Sequence, residues 1–331
     1  MNRRPPSFLL VSQASEGFLQ YKAAEGLSPR TLERYRDFFK IWWQYIDDAR
    51  LNEITADKLH QFLIWLRTDY QPLRVTGTMK PLSNKTIHNI YMFLSSFFTW
   101  ANREFNLPSP LKGVPVPKFE EVPVEPFTKE EIEALLKACE VSREARPALR
   151  RKFVMRRINV HRDRALILTL LDTGLRASEL CSLTIGSVDM QTGKAIIKPG
   201  RDGGAKGGKG RAVFLGKTAR RALWRYLADR EDGKDPEAPL FTDRYDHPLN
   251  INSLRLSITR LGKNAGVKKC HPHRFRHTFA ITYLRSGGDV FTLQSLLGHS
   301  TLDMVQHYAR IAEIDVQAAH RRASPADNWR L

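Results

Sequence analysis

Hydrophobic residues in the first hundred positions recur at the three- and four-residue spacing of amphipathic helices. Ser28 and Pro29 are typical of an N-cap followed by proline in the first turn, and Thr55 and Ser83 precede two further helical patterns. The pattern therefore predicts an N-terminal helical bundle. The apolar positions of its three helices are Leu32, Tyr35, Phe39, Trp42 and Ile46, then Leu59, Phe62, Leu63 and Leu66, then Ile87, Ile90, Leu94 and Phe97.

Six prolines interrupt the helical pattern within residues 108–127. No helix interior or central strand tolerates proline at that density, because each one removes a backbone donor. We therefore expect an extended, semi-rigid linker over 108–127, which follows an N-terminal domain at 1–107. Thr128 and Glu131 then match a capping box and predict the first helix of a second domain.

The second domain combines helical patterns with two short strand-like segments. These segments, at about 195–198 and 211–215, flank the glycine- and lysine-rich sequence GRDGGAKGGKG and predict a β-hairpin. The predicted fold class is mainly α with a small antiparallel β-sheet, an α+β domain that follows the helical bundle. Helices are expected at about 162–171, 217–230, 250–265, 273–286, 289–297 and 301–312.

Charge identifies the class of partner. The 331 residues contain 53 Lys and Arg against 35 Asp and Glu, a formal net charge of +18 that is spread along the chain. Such a surplus favours a polyanion, because contacts to phosphates release counterions. A basic surface that only aids solubility is the alternative. On the bundle, the candidate phosphate contacts are Arg30, Arg34, Lys85 and Thr86.

We expect neither a membrane span nor a secretory signal in this sequence. No run approaches about 18 apolar residues, so we expect no membrane span. The apolar patch at residues 8–11 is too short for the core of a signal peptide. Three widely spaced cysteines indicate a reduced intracellular chain. We therefore expect a cytoplasmic, nucleoid-associated protein.

Two segments place arginines beside other reactive side chains. In TGLRASEL, Arg176 lies just past a glycine turn and Glu179 follows three residues later, a pair that alone would suit a surface ion pair. In HPHRFRH, His273, Arg276 and His277 share one face of a predicted helix. Because three potentially cationic groups repel each other, we expect an anion against this face. Guanidinium groups bind phosphate in bidentate fashion.

A histidine and a tyrosine follow in the last predicted helices. His299 in LLGHS comes directly after Gly298, whose position predicts a left-handed C-cap. Tyr308 lies about two turns into the next helix, where an aromatic taken alone is ordinarily part of the core. An imidazole moves protons near neutral pH, and an activated phenol forms covalent intermediates. The pair therefore suits nucleophilic chemistry.

Two patterns that could indicate a cofactor are excluded. Residues 203–209 fit G-x-x-x-x-G-K, but Gly210 stands where a P-loop needs Ser or Thr, and a strand follows where a helix should. The cysteine and histidines within 270–277 lack the paired ligand spacing of structural zinc sites. We expect neither a nucleotide cofactor nor a metal ion.

TGLRASEL, HPHRFRHTFA, LLGHS and the tyrosine nine residues after that histidine closely resemble the signature boxes of the tyrosine recombinase (integrase) family. The resemblance spans about residues 10–312, and the helical N-terminal unit is similar to that family's SAM-like core-DNA-binding domain. It implies a catalytic domain at 128–312 and a C-terminal tail at 313–331 that packs on a neighbour. It also implies a homo-tetramer on two double-stranded DNA sites, in a simple Xer-like arrangement.

The resemblance implies a role for each site residue. Arg176 and Arg276 would bind the scissile phosphate and stabilise its pentavalent transition state. Tyr308 would attack the phosphorus, giving a 3′-phosphotyrosine and a free 5′-hydroxyl. His273 would assist proton transfer at the tyrosine, and His299 would hydrogen-bond a non-bridging oxygen.

Two further residues complete the implied site. Family members use a hairpin lysine as general acid for the leaving 5′-oxygen, and alignment of AKGGKGRAVFLG places it at Lys206. The connection PGRDGG is longer than is typical, so Lys209 and Lys198 stay open as alternatives. Glu179 matches the carboxylate that follows the first arginine and would orient the site.

The implied function is site-specific recombination with strand exchange through a Holliday junction, in dimer resolution or in integration and excision of a mobile element. Two alternatives stay open: a type IB-like topoisomerase with the same tyrosine chemistry, and a DNA-binding protein that keeps the fold without catalysis. The basic stretch 143–164 has no clear counterpart in the family. It is expected to contact DNA or a partner, or to be a solvated insertion.

Overall fold

The computed structural model describes residues 9–72, 80–120, 124–140, 159–199 and 210–299, with Thr301, Tyr308, Ser324, Ala326 and Trp329. The chain divides into two compact units, Met1–Val122 and Pro123–Leu331. The described elements are α-helices, short 3-10 helices and one antiparallel pair of strands, which confirms the predicted fold class. None of the described helices is long and apolar enough to span a membrane.

Four α-helices build the described part of the first unit, and three of them begin at predicted caps. Ser28, Thr55 and Ser83 each accept a hydrogen bond from the backbone N–H three residues on, which satisfies a donor that the first turn leaves free. The remaining helix had no such signal, because Leu10 at its N-cap has no polar side chain. The helices are α1 (Val11–Ala24), α2 (Pro29–Ile46), α3 (Ala56–Thr68) and α4 (Asn84–Phe105).

Aromatic side chains fill the core of the first unit. Phe18 of α1 packs edge-on against Phe39 of α2 and Phe97 of α4, with ring centroids 6.0 and 5.6 Å apart. Trp42 meets Phe97 edge-on at 5.5 Å. Such pairs contribute beyond their buried area, so the three helices are held in defined mutual positions.

The start of the proline-rich segment packs on the first unit. Pro110–Gly113 forms a short 3-10 helix, and Leu111 and Val114 are buried in the core of the bundle. The hydroxyl of Tyr91 donates to the carbonyl of Val114 at 3.0 Å. This part of the segment therefore has a fixed place on the bundle, and the domain boundaries drawn from the prolines stay a prediction.

Helix α6 lies at the centre of the second unit. Residues on every side of it are buried, among them Leu166, Ile167 and Leu170, as expected for a helix enclosed by its neighbours α5, α8 and α10. The predicted capping box at the start of α5 is present, with hydrogen bonds in both directions between Thr128 and Glu131. The helices are α5 (Lys129–Glu140), α6 (Val160–Thr173), α7 (Ala177–Cys181), α8 (Lys217–Ala228), α9 (Ile251–Ala265), α10 (Pro272–Arg285) and α11 (Val290–Leu297).

The predicted hairpin is an antiparallel pair of strands, β1 (Lys194–Ile197) and β2 (Arg211–Phe214). In its register Ile197 lies opposite Arg211, and Ala195 lies opposite Val213. Ile197, Ala195 and Val213 are buried. Because side chains alternate along a strand, Arg211 lies on the same face as Val213, so the hairpin directs one arginine toward the core.

Candidate active site

Two left-handed turns shape the candidate site. Gly174 ends α6 with φ +60°, and a Cβ added there would lie 2.4 Å from Cδ1 of Phe279 in α10. Glycine is therefore required both for the backbone conformation and for the close approach. Gly298 ends α11 with φ +63°, which confirms the predicted left-handed cap. Arg176, two residues after the first turn, reaches the Gly298 carbonyl at 3.4 Å.

Arg276 is a buried arginine on the first turns of α10, with 2% of its surface exposed. Its Nη1 donates to the carbonyl of Gly174 and its Nη2 to the carbonyl of Leu297, both at 2.8 Å. Nη2 also lies 2.7 Å from Nε2 of His299. Burial lowers the pKa of Arg276 to about 10, and the charge of Arg176 acts in the same direction. The guanidinium therefore remains charged at neutral pH.

Glu179 is fully buried on α7 and binds Arg176 twice. The backbone N–H of Arg176 donates to Oε2 at 2.9 Å, and its Nη1 donates to Oε1 at 2.8 Å. The pair is therefore part of a buried network, not the surface ion pair that its spacing alone would suit.

A second arginine, Arg211 at the start of β2, binds the same carboxylate. Its Nη1 and Nη2 donate to Oε1 and Oε2 of Glu179 at 2.9 and 2.7 Å. Burial by itself raises the pKa of Glu179, but hydrogen bonds and charge from Arg211, then hydrogen bonds from the backbone and side chain of Arg176, lower it to about 2. Sequence reasoning missed Arg211, although its place on the inward face of a strand was a usable signal.

The carboxyl end of α11 holds all three arginines. Its last carbonyls carry the negative end of the helix dipole and have no partner within the helix. Three consecutive carbonyls each accept from a different guanidinium, so neutral groups fix the positions of the cations. The pairs are Leu296 with Arg211 at 2.7 Å, Leu297 with Arg276 at 2.8 Å and Gly298 with Arg176 at 3.4 Å.

His299 is buried, and its protonation follows from its neighbour. A guanidinium has only donors, so Nε2 of His299 must accept from Arg276 and the ring proton lies on Nδ1. Burial, followed by the charges of Arg276 and Arg176, lowers the pKa of His299 to about 4, which keeps the ring neutral. Nδ1 is buried and has no hydrogen-bond partner among the described residues.

Tyr308 lies buried against these groups, with 4% of its surface exposed. Its ring is nearly parallel to that of His299, with centroids 6.2 Å apart, and it meets His277 edge-on at 5.2 Å. Burial raises the pKa of Tyr308, while the charges of Arg276 and Arg176 and a hydrogen bond from Arg276 act against that rise. The phenol is therefore next to the cations that would stabilise its ionised form.

His273 is solvent-accessible and meets His277 edge-on at 4.5 Å. Partial burial, followed by the charge of Arg276, lowers the pKa of His273. The expected repulsion among three cations on this face of α10 is thus relieved, because His273 shifts toward its neutral form and Arg276 binds carbonyls.

The structure brings together six predicted residues, and the other candidates are either outside the described part of the chain or away from this cluster. Lys206 and its alternative Lys209 fall outside the described residues, and Lys198 is exposed just after β1. The four candidate phosphate contacts are exposed on the first unit, where Lys85 Nζ lies 5.2 Å from the ring centroid of Phe119. The six residues brought together are Arg176, Glu179, His273, Arg276, His299 and Tyr308.

At the described end of the basic stretch 143–164, two arginines form ion pairs within the protein. Arg162 is buried and donates to the buried carboxylate of Asp163 at 2.8 Å, and Arg164 lies 3.4 Å from Glu140. Residues 143–158 lie outside the described part. Arg162 therefore fits none of the three expectations for this stretch, because its side chain is used inside the protein.

Comparison with known proteins identifies the family of this chain. The sequence profile of the phage integrase family matches residues 125–314. Tyrosine recombinase XerC from Bacillus pumilus (strain SAFR-032) is 30% identical over 317 residues, covering 93% of this chain and 95% of that one. Tyrosine recombinase XerA from Thermococcus kodakarensis (strain ATCC BAA-918 / JCM 12380 / KOD1) is 27% identical over 314 residues, covering 94% and 95%.

Solved structures show the same fold. The Tn1549 transposon integrase in complex with transposon right end DNA superposes with a TM-score of 0.70 at 20% identity, covering 96% of this chain and 100% of that one. A lambda integrase dimer bound to a COC′ core site gives 0.65 at 19% identity, covering 91% and 77%. The profile match and the full-length relatives place this chain in the phage integrase family, as a tyrosine recombinase of the Xer-like, site-specific kind.

Proposed function

We propose that the protein cuts and rejoins double-stranded DNA at specific sites through a 3′-phosphotyrosine on Tyr308. The observation that carries this proposal is a buried tyrosine next to two clustered arginines and a neutral imidazole. A tyrosine with that environment is poorly explained as a core aromatic, because burying charged guanidinium groups beside it is costly.

The charge of the site suits a phosphodiester. Among the described residues of the site, Arg176, Arg211 and Arg276 contribute three positive charges and Glu179 contributes one negative charge, so two positive charges are left there. A phosphodiester carries one negative charge, and its pentavalent transition state carries two. The site is therefore better matched to the transition state than to the bound substrate, which is the condition for catalysis.

Protons and bonds balance with the residues assigned. The phenol oxygen of Tyr308 forms a bond to phosphorus while the bond from phosphorus to the 5′-oxygen breaks. The phenol proton passes to His273, whose lowered pKa favours the neutral, accepting form at neutral pH. Lys206 would protonate the leaving 5′-oxygen, and His299 would donate from Nδ1 to a non-bridging oxygen. Attack by another duplex's 5′-hydroxyl reverses the step and exchanges strands through a Holliday junction.

The assembly is part of the same proposal. Residues 1–107 and 128–312 would contact one duplex, with Arg30, Arg34, Lys85 and Thr86 as phosphate contacts on the first. A homo-tetramer on two recombination sites would exchange strands, with the tail at 313–331 packing on a neighbour. The Tn1549 integrase was solved with transposon DNA, which supports DNA as the partner. A cytoplasmic, nucleoid-associated location goes with this role, in dimer resolution or movement of a mobile element.

Covalent capture tests the nucleophile. The protein is expressed in its host and denatured rapidly, so that DNA bound covalently to it stays attached. This DNA is sequenced, and duplexes of the same sequence with a nick are then synthesised as substrates. Wild type and a control, Tyr283→Phe on α10, should form covalent adducts with these duplexes, and Tyr308→Phe should form none. Equal adducts from Tyr308→Phe would refute the assignment.

Two further outcomes separate the alternatives. Exchange of labelled strands between two duplexes indicates a recombinase, whereas relaxation of supercoils without exchange indicates a type IB-like topoisomerase. A wild-type protein that binds the duplex but forms no adduct would be a DNA-binding protein without catalysis.

A further inference from the structure

Arg211 is a buried arginine outside the set of residues that the family resemblance implies. Its side chain is 9% exposed. With described residues it makes three hydrogen bonds, two to Glu179 and one from Nε to the Leu296 carbonyl at 2.7 Å. We propose that Arg211 is a positioning residue that holds Glu179, and through it Arg176, in the geometry needed for cleavage. This inference rests on the proposed function.

The contacts of Glu179 show why Arg176 by itself does not fix the orientation of the carboxylate. Arg176 reaches Oε1 with its side chain and Oε2 with its backbone N–H. Both bonds come from the residue that Glu179 is meant to orient, so they cannot fix the carboxylate independently. Arg211 supplies a bidentate contact from another element, 32 residues away in sequence, and that contact sets the plane of the carboxylate.

Arg211 also joins the hairpin to the end of α11. It is the first residue of β2, in register with Ile197, and an added Cβ on Gly298 would lie 3.1 Å from its Cδ. The side chain thus fixes the end of the strand pair next to the connecting segment against the turn that precedes His299. Lys206, the expected general acid, lies five residues earlier in sequence, so the same contact anchors the strand that follows it.

Lysine cannot replace this side chain. Two parallel donors to the carboxylate and a third to the Leu296 carbonyl require the planar fork of a guanidinium, while an ammonium is a single point donor. Arg211→Lys keeps the charge and removes the fork. A displacement of about 1 Å at a reacting group can lower a rate by about 100-fold, so we expect Arg211→Lys to slow adduct formation by about 10- to 100-fold with little change in DNA affinity.

A matched variant separates positioning from stability. Arg230 has a side chain only 7% exposed, forms a bidentate pair with Asp232 at 2.8 and 2.6 Å, and donates to the Pro239 carbonyl at 2.9 Å. Arg230→Lys therefore removes the same kind of fork within the same unit but outside the site. It should lower thermal stability as Arg211→Lys does and leave the rate of adduct formation within about threefold of wild type.

A double-mutant cycle on adduct formation tests the route through Glu179. Because the two residues are in contact, their effects should not add: Arg211→Lys should slow Glu179→Gln by less than about threefold, although it slows wild type strongly. Two results would overturn the positioning role and leave the proposed function standing. One is that Arg211→Lys slows adduct formation equally in wild type and in Glu179→Gln, and the other is that Arg211→Lys forms adducts at the wild-type rate. Absence of adducts from wild type would instead overturn the proposed function and the positioning role with it.

Discussion

Replacing Glu179 with glutamine tests how strongly the arginine network is held. The substitution keeps the shape of the side chain but removes the charge that Arg176 and Arg211 share, and it turns an amide donor toward a guanidinium donor. The pKa of Glu179 is about 2 in the folded protein against 4.5 for the unperturbed side chain. At 1.36 kcal/mol per pKa unit, ionised Glu179 contributes about 3 kcal/mol at neutral pH, within the range for breaking a buried pair.

The pH dependence has a defined sign. Because folding lowers the pKa of Glu179, its contribution is fully present above pH 4.5 and is lost as the pH falls toward 2. The free energies of unfolding of wild type and Glu179→Gln should therefore differ by about 3 kcal/mol from pH 8 to pH 5. Below pH 4.5 the difference should shrink by up to about 1.4 kcal/mol per pH unit.

Thiol reactivity measures the unfolding of the second unit by itself. Cys139 and Cys270 are buried there, so their reaction with a dithiopyridine reagent across a urea series reports when that unit opens. Asp232→Asn is the control, because Asp232 pairs with Arg230 but is 44% exposed; it should cost less than about 1 kcal/mol. A cost for Glu179→Gln no larger than that of the control, or a difference that grows as pH falls, would refute the reasoning.

Three shorter predictions follow from other features. Gly174→Ala should cost at least twice the roughly 1 kcal/mol expected for Gly266→Ala, since both positions have positive φ but only at Gly174 would the Cβ meet Phe279; urea unfolding of the two variants compares them. Sulfate at millimolar concentration should raise the urea midpoint for unfolding of the second unit more than chloride of equal ionic strength. The reason is that the described site has a net charge of two in the folded state, and an anion that binds there stabilises that state. Lys85→Ala should weaken DNA binding on all sequences and reduce the slope of log affinity against log salt by about 1 in a salt titration.

Local features of the chain could be predicted because their causes are local. The caps at Ser28, Thr55 and Ser83 involve backbone groups three residues away, and a left-handed turn at Gly298 needs only a glycine after a helix. Helix α1 could not be predicted as a separate helix, since its N-cap is Leu10, which lacks the polar side chain of a typical N-cap residue. Its place in the fold comes from the aromatic packing of Phe18 with distant rings.

The network around Glu179 could not be predicted from local pattern, because its partners are far apart in sequence. Arg211 lies 32 residues from Glu179 and 85 from Leu296, so no helical or strand spacing connects them. The alternation of β2 does place Arg211 on the buried face with Val213, and a charged residue at such a position needs a buried partner. In the basic stretch 143–164, for which DNA contact, partner contact and a solvated insertion stayed open, charge alone did not reveal that Arg162 pairs with the adjacent Asp163.

The contacts of the three arginines explain how the site keeps a net positive charge although its cations are buried close together. Carboxylates would fix guanidinium groups just as well, but each would cancel one positive charge that a phosphate needs. Here a single carboxylate serves two arginines, and the end of α11 fixes all three through neutral carbonyls. Carbonyl dipoles satisfy the buried donors and leave the described groups of the site with a net charge of two. The helix end is therefore the element that holds a buried cluster of cations in place and leaves them the positive charge that the proposed reaction needs.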